Sequence, residues 1–332
     1  MICPECNLII PDDSRFCKEC GNKLEVSARE QETLSNQEKA ERLYREGISQ
    51  YHQGLFDEAL KSWEETLELV PDFQMTNYYM GVAYYDKGML SLALDYFKKA
   101  EAANPPSPAI HYRLGMAYYS MGLLPDSEFH FKKVRSIIPD TAQIHYRLAL
   151  LHQKNAKLDA AVEELNQALE RSPSFARALY VLGTVYFQKG MLKEAAESLK
   201  KVVEISPGYV MAYYWLGQVY FHKGNMTDTI EAFDRALSLS PKFASAYYHR
   251  GVAQARKGQH EDAASSFGKV RELDPQDSAA LYHLGNSYIH LGMLDKAEQT
   301  LNEAIRLNPE NTQAFFLLEK VGEIKRSGAM EY

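Results

Sequence analysis

Glycine returns every 34 residues along most of this chain, at Gly47, Gly81, Gly115, Gly183, Gly217, Gly251 and Gly285, with Ala149 filling the one gap. A proline follows each of these eight small residues 24 positions later, at Pro71, Pro105, Pro139, Pro173, Pro207, Pro241, Pro275 and Pro309. No insertion or deletion breaks the frame. A period of this length identifies a stack of like supersecondary units, each burying its apolar face against the next. It overrides the two or three closed domains that 332 residues would otherwise suggest, because a stack grows without closing a core.

Placing the small residue at position 8 starts the repeats at Ala40, Gln74, Pro108, Ala142, Ala176, Val210, Ala244 and Ser278. Each repeat then divides into two helices of about 14 residues, roughly 21 Å of axis each. They meet at a glycine in position 15, Gly54, Gly88, Gly122, Gly190, Gly224, Gly258 and Gly292, with Ala156 the exception. Glycine there lets the chain reverse without a Cβ clash. Position 20 is mostly small, as at Ala59, Ala161 and Ala263, and position 24 is large: Trp63, Phe97, Phe131, Leu165, Leu199, Phe233, Phe267 and Leu301. Small facing large is how ridges enter grooves at a helix pair. The proline at position 32 stops the second helix.

These positions resemble the tetratricopeptide repeat over residues 40–311, most plainly in 213–241, where Tyr213, Leu216, Gly217, Tyr220, Thr229, Phe233, Ala236 and Pro241 stand at its signature places. The resemblance implies an all-α fold, a right-handed α-solenoid of eight helix pairs: 40–73, 74–107, 108–141, 142–175, 176–209, 210–243, 244–277 and 278–311. It also implies that first helices line a concave groove, through positions 2, 5, 6, 9, 12 and 13, where a partner segment binds without any chemistry. Residues 312–326 read as one more helix, a solubilising cap with Phe315, Phe316 and Leu318 at buried-type positions, ahead of a tail at 327–332.

On the implied groove, position 5 is tyrosine in every repeat, including Tyr78, Tyr112, Tyr146 and Tyr180, and position 12 adds Tyr85 and Tyr119. Arg113 and Arg147 at position 6, Arg177 at position 2 and Lys154 at position 13 bring cations beside the apolar Met116 and Leu150 of position 9. An apolar groove with guanidinium groups suits an amphipathic or extended protein segment carrying carboxylates. The bland alternatives are tyrosines that pack against neighbouring helices and arginines paired with nearby glutamates. The lysine and asparagine clamp by which some family members hold chaperone C-termini is absent, since position 5 is never lysine. His222, His249, His283 and His290 fall on inner positions about 10 Å apart, too far to share a metal ion. His111, His145 and His152 read as interior residues. Arg250 and Gln254 replace apolar residues, which makes the seventh repeat the expected weak joint or a second docking point.

The four cysteines all lie in the first twenty residues, as two Cys-x-x-Cys pairs, Cys3 with Cys6 and Cys17 with Cys20. Two such turns can complete a tetrahedral sulfur shell suited to structural Zn2+, closed to catalysis. Asn7 and Gly21, directly after the second cysteines, suit left-handed backbone. Residues 1–24 resemble the short zinc-ribbon family in the string CPECNLIIPDDSRFCKECGNKL. A dithiol redox pair is the competing reading, though no βαβ pattern surrounds it. Residues 25–39 read as a flexible or weakly helical linker, with a capping box at Ser35 to Glu38 marking the first helix start.

The net charge of −7 gives no footprint for a polyanion, and no apolar run approaches the length of a membrane span. No phosphate-cradling loop, His-Glu-x-x-His helix or free nucleophilic cysteine is present in the sequence. The reading is a cytoplasmic, non-enzymatic scaffold that binds protein or peptide, with no membrane or small-molecule substrate. Its alternative is a nucleic-acid-associated regulator whose ribbon contacts DNA or RNA while the repeats recruit protein.

Overall fold

The computed structural model describes residues 5–6, 9, 16–21, 28–73, 75–103, 107–138 and 141–328, with the side chains of 28–34 and 328 outside that description. Among the described residues the fold is all-α, with 17 helices and no strand. The pairs are α1 (Ala28–His52) with α2 (Phe56–Leu69), α3 (Thr76–Asp86) with α4 (Leu90–Ala103), and α5 (Pro108–Ser120) with α6 (Leu124–Ile137). They continue as α7 (Ala142–Lys154) with α8 (Leu158–Arg171), α9 (Ala176–Gln188) with α10 (Leu192–Ile205), and α11 (Val210–His222) with α12 (Met226–Leu239). Last come α13 (Ala244–Arg256) with α14 (His260–Leu273), α15 (Ser278–His290) with α16 (Leu294–Leu307), and a lone α17 (Thr312–Gly328). They gather into two compact units, Met1–Pro139 and Asp140–Tyr332.

What closes each pair is the contact between positions 8 and 24. A Cβ added to Gly217 would stand 2.7 Å from the ring of Phe233, one on Gly81 2.6 Å from Phe97, and one on Gly285 2.7 Å from Leu301. The large partner is fully buried in every case, as at Trp63, Phe97, Phe131, Phe233 and Phe267. Burying such a side chain contributes about 1.5–3 kcal/mol, so the small residue matters because it lets the ring lie on the helix backbone. Trp63 adds a polar anchor, its indole N–H donating to the Tyr44 carbonyl at 3.2 Å. The fourth pair solves the same problem differently, with Ala149 in place of glycine and the branched Leu165, fully buried, in place of a ring.

The turns inside the pairs share one backbone solution. Position-15 glycines have φ between 70° and 81°, and the next residue donates back five positions, as in Met191 to the Tyr186 carbonyl at 2.9 Å. This satisfies an end-of-helix carbonyl that no side chain caps. Ala156 takes the same left-handed conformation at φ 55°, so its Cβ carries the strain that glycine avoids.

Three expectations change. Helix α1 already begins at Ala28, so most of the segment read as a linker is helical and Ser35 lies inside the helix, leaving no capping role for it. The run from Ala28 to Glu46 contains no glycine or proline and is rich in Glu, Gln, Arg and Ala, which favour helix. In α17, Phe315 and Phe316 are 47% and 66% exposed, because among the described residues no second helix follows to cover positions 4 and 5 as elsewhere. The polar residues of the seventh repeat are joined to one another and to the sixth repeat: Arg250 donates to Ser266 Oγ at 3.0 Å and to Asp234 at 2.6 Å, and Ser266 donates to Gln254 at 2.6 Å. A satisfied polar network is not a weak joint.

Two substitutions test this account by thermal or denaturant unfolding of the full chain. Gly217→Ala is expected to destabilise by about 1–3 kcal/mol through overpacking against Phe233. Ala156→Gly is expected to stabilise by up to about 1 kcal/mol, as relief of left-handed strain exceeds the entropy glycine adds to the unfolded chain.

Candidate functional site

Within each unit, each first helix touches the first helix of the next repeat. Within the unit Met1–Pro139, α3 meets α1 and α5; within the unit Asp140–Tyr332, α7, α9, α11, α13, α15 and α17 meet in succession. The first helices thus make a continuous face in each unit, and the expected groove residues stand on it.

In the first unit, Tyr78, Tyr85, Tyr112, Arg113, Met116 and Tyr119 are all half-buried. Much of their polarity joins repeats together. Tyr51 donates to Asp86 Oδ2 at 2.5 Å, the Tyr85 and Ser120 hydroxyls lie 2.9 Å apart, and Arg113 Nε donates to the Tyr78 hydroxyl at 3.5 Å. Each link spans 35 residues, one repeat and one step along the helix. Burial, reinforced by the hydrogen bond to Asp86, pushes Tyr51 up to about 12. Burial works against the Arg113 charge, but the Tyr78 hydroxyl and the nearby Asp86 carboxylate more than offset it, and the guanidinium is held above its ordinary range.

In the second unit, Tyr146 is buried and its ring meets Phe175 at 5.0 Å. Arg147 and Leu150 are half-buried, while Lys154 and Arg177 are exposed. Arg147 lies over the Tyr146 ring at 5.7 Å and Arg177 over Phe175 at 5.8 Å. Tyr180 accepts from Trp215 Nε1 at 3.1 Å, again 35 residues on, and Gln153 donates to Gln188 at 3.5 Å with the same spacing. Burial raises Tyr180.

Sequence reasoning passed over Trp215. It occupies position 6, the place of Arg113 and Arg147, and that register was the available signal. It is half-buried, with Phe187 at 5.3 Å, and Phe187 in turn meets His222 at 5.1 Å. Arg256 covers Phe221 at 4.2 Å. The result is a semi-exposed aromatic surface with cations at its edges, suited to binding a segment that offers both apolar and acidic groups.

The histidines on this face are largely structural. His249 stacks on Phe233 at 6.0 Å and His283 on Phe267 at 5.3 Å, and burial lowers both, with Asp277 opposing the effect at His283. His111 and His145 are buried, and His145 Nδ1 lies 2.6 Å from Glu164.

At the N-terminus, Cys3 and Asn7 lie outside the described residues. The sulfurs of Cys6, Cys17 and Cys20 lie within 4.8 Å of one another. The Cys6 and Cys17 sulfurs are 3.5 Å apart. Four thiolates at about 2.3 Å around zinc would be separated by about 3.8 Å, so the three described sulfurs fit a shared ion. Backbone N–H groups of Cys20 and Glu19 bring Cys17 down to about 6, the direction a metal-binding thiolate requires. Gly21 holds φ 71° and donates to the Cys17 carbonyl at 2.9 Å, closing the turn.

Paired helices on a 34-residue repeat, small-to-large packing and a first-helix face define a tetratricopeptide-repeat protein. The chain belongs to the family described as the cilia and flagella-associated protein 70 C-terminal domain, whose model matches residues 141–331, and a general tetratricopeptide-repeat model matches residues 44–108. No curated protein matches the sequence. Among solved structures, the chain is similar to YrrB, described as a TPR protein with an unusual peptide-binding site, at 28% identity and TM-score 0.52, covering 56% of this chain and 96% of that one. It is similar to the MamA protein at 26% identity and TM-score 0.50, covering 53% and 96%. A repeat protein from Cytophaga hutchinsonii shares the fold at 18% identity and TM-score 0.62, covering 73% of this chain and 99% of that one. No helix of the described residues is long and apolar enough to cross a membrane.

The lowered histidines make a signed prediction. Because His249 and His283 hold protons less readily folded than unfolded, their contribution is complete above about pH 6.5 and is lost as pH falls through their folded values. Thermal midpoints should therefore drop from pH 7 to pH 5, and the drop should shrink in His249→Gln/His283→Gln. Tyr180→Phe should cost about 0.5–1.5 kcal/mol by denaturant unfolding, since it leaves the Trp215 N–H without its partner.

Proposed function

We propose that the protein is a non-enzymatic interaction scaffold whose second unit binds an extended or amphipathic partner segment along its first helices. The observation that carries this reading is the surface formed by Tyr180, Phe187 and Trp215 with Arg147 and Arg177, aromatic in its middle and cationic at its edge. The Tyr180 to Trp215 hydrogen bond fixes the indole in place, so little side-chain entropy remains to be lost when a partner covers it. Arg177 is exposed and oriented against Phe175, a pose from which it can reach a partner carboxylate. The likeness to YrrB, a TPR protein with a peptide-binding site, supports the class of ligand.

The first unit offers Tyr78, Tyr85, Tyr112, Met116 and Tyr119 as a second, more apolar contact face, with Arg113 internally balanced by Asp86. Residues 1–24 act in this reading as a zinc ribbon held by Cys3, Cys6, Cys17 and Cys20, for which the clustering of the three described sulfurs is the support. Residues from 40 to 311 serve as the binding array and 312–326 as its cap. A four-thiolate site belongs in a reducing compartment, and the cytoplasm is the expected setting.

The test is selection of peptides from a random displayed library on the full-length protein, followed by titration. Peptides enriched in carboxylate and apolar residues should bind, and Arg147→Ala/Arg177→Ala and Trp215→Ala should each weaken them at least about tenfold. Lys201→Ala on α10, a second helix, should leave binding unchanged. Selected peptides that bind all of these variants equally would refute the assignment.

A further inference from the structure

Glu101 on α4, His111 on α5 and His130 on α6 bring one oxygen and two nitrogens together, all within 4.8 Å of one another. His111 Nδ1 lies 3.1 Å from Glu101 Oε1 and 3.3 Å from His130 Nδ1. Donors at about 2.0–2.1 Å around a tetrahedral ion are separated by about 3.3 Å, so these spacings are those of neighbouring ligands. Protons alone serve the cluster poorly. If His111 Nδ1 carries a hydrogen toward the carboxylate, His130 Nδ1 must either aim a lone pair at that same hydrogen or set a second N–H against it. A cation at the centre satisfies all three lone pairs together.

Two further observations point the same way. Both imidazoles are buried, His111 8% and His130 7% exposed, while Glu101 sits half-buried beside them. The His130 ring is fixed by stacking on Tyr118 at 5.4 Å and by edge contact with Phe129. The repeat frame singles out this combination. The Glu101 place is Leu67, Arg135, Leu169, Val203, Leu237, Arg271 and Ile305 in the other repeats, the His130 place is Ser62, Tyr96, Glu164, Ser198, Ala232, Ser266 and Thr300, and the His111 place is Leu43, Asn77, His145, Leu179, Tyr213, Tyr247 and Leu281. Only this junction holds a carboxylate and two imidazoles at the three places together.

We propose that Glu101, His111 and His130 form a binding site for a divalent first-row transition-metal ion, with Zn2+ the best fit to two imidazoles and one carboxylate. The site joins the second helix of one repeat to both helices of the next, inside the unit Met1–Pro139. Three protein donors leave one position for water or for a donor from a bound partner. The site is independent of the N-terminal cysteines and of partner binding by the second unit.

The test counts Zn2+ bound by the full-length protein at equilibrium, in wild type, Glu101→Gln and His130→Gln. Cysteine-bound zinc is common to all three and cancels in the differences. Wild type should hold one more ion per chain than His130→Gln, and Glu101→Gln should bind that ion at least about tenfold more weakly. With Co2+, the absorption lost on substitution should lack thiolate charge-transfer character. Circular dichroism in chelator checks that the variants are folded. If His130→Gln does not fold, the half-buried Glu101→Gln decides alone. Equal zinc content and affinity in the folded variants and wild type would overturn the proposal.

Discussion

A ring or branched side chain lying on a bare stretch of helix backbone is the contact on which this molecule depends. Glycine at position 8 costs helical propensity, yet it lets Trp63, Phe97, Phe131, Phe233 and Phe267 vanish from solvent between two helices. Because each pair closes on itself this way, its first helix is free to lie beside the first helix of the next repeat within its unit. The working face follows from the packing behind it.

That face has two layers of purpose. Its tyrosines and their partners bond across repeats with a 35-residue offset, so the hydroxyl ends that look like ligand hooks in the sequence are largely committed to holding the register. What remains for a partner is ring surface and the cations beside it. Structural roles and the proposed binding role are thus divided within single side chains. In Tyr180 the oxygen holds Trp215, while the half-buried ring stays partly open.

The repeat, its helix boundaries and the small-to-large code were legible in the sequence because each is a local rule copied many times, and copies expose a pattern that one instance hides. Contacts made by a single repeat were harder to read. Trp215 carries no such signal, because charge is what marks position 6 at Arg113 and Arg147 and this residue is neutral. Exposure of Phe315 and Phe316 was missed because apolar residues at core-type positions imply burial only when a following helix exists to cover them. The meeting of Glu101, His111 and His130 depends on three helices from two repeats, and no sequence period reports such a convergence. At the cysteines the spacing was visible, whereas the depressed Cys17 depends on backbone N–H groups that only a folded turn supplies.

In the proposed reading, the first helices of the second unit bind the partner and the second helices support them. Hydrogen exchange of the full-length protein, with and without a saturating selected peptide, tests it directly. Slowed exchange concentrated in α7, α9 and α11 is the predicted result. Protection confined to α8, α10 and α12 would contradict it.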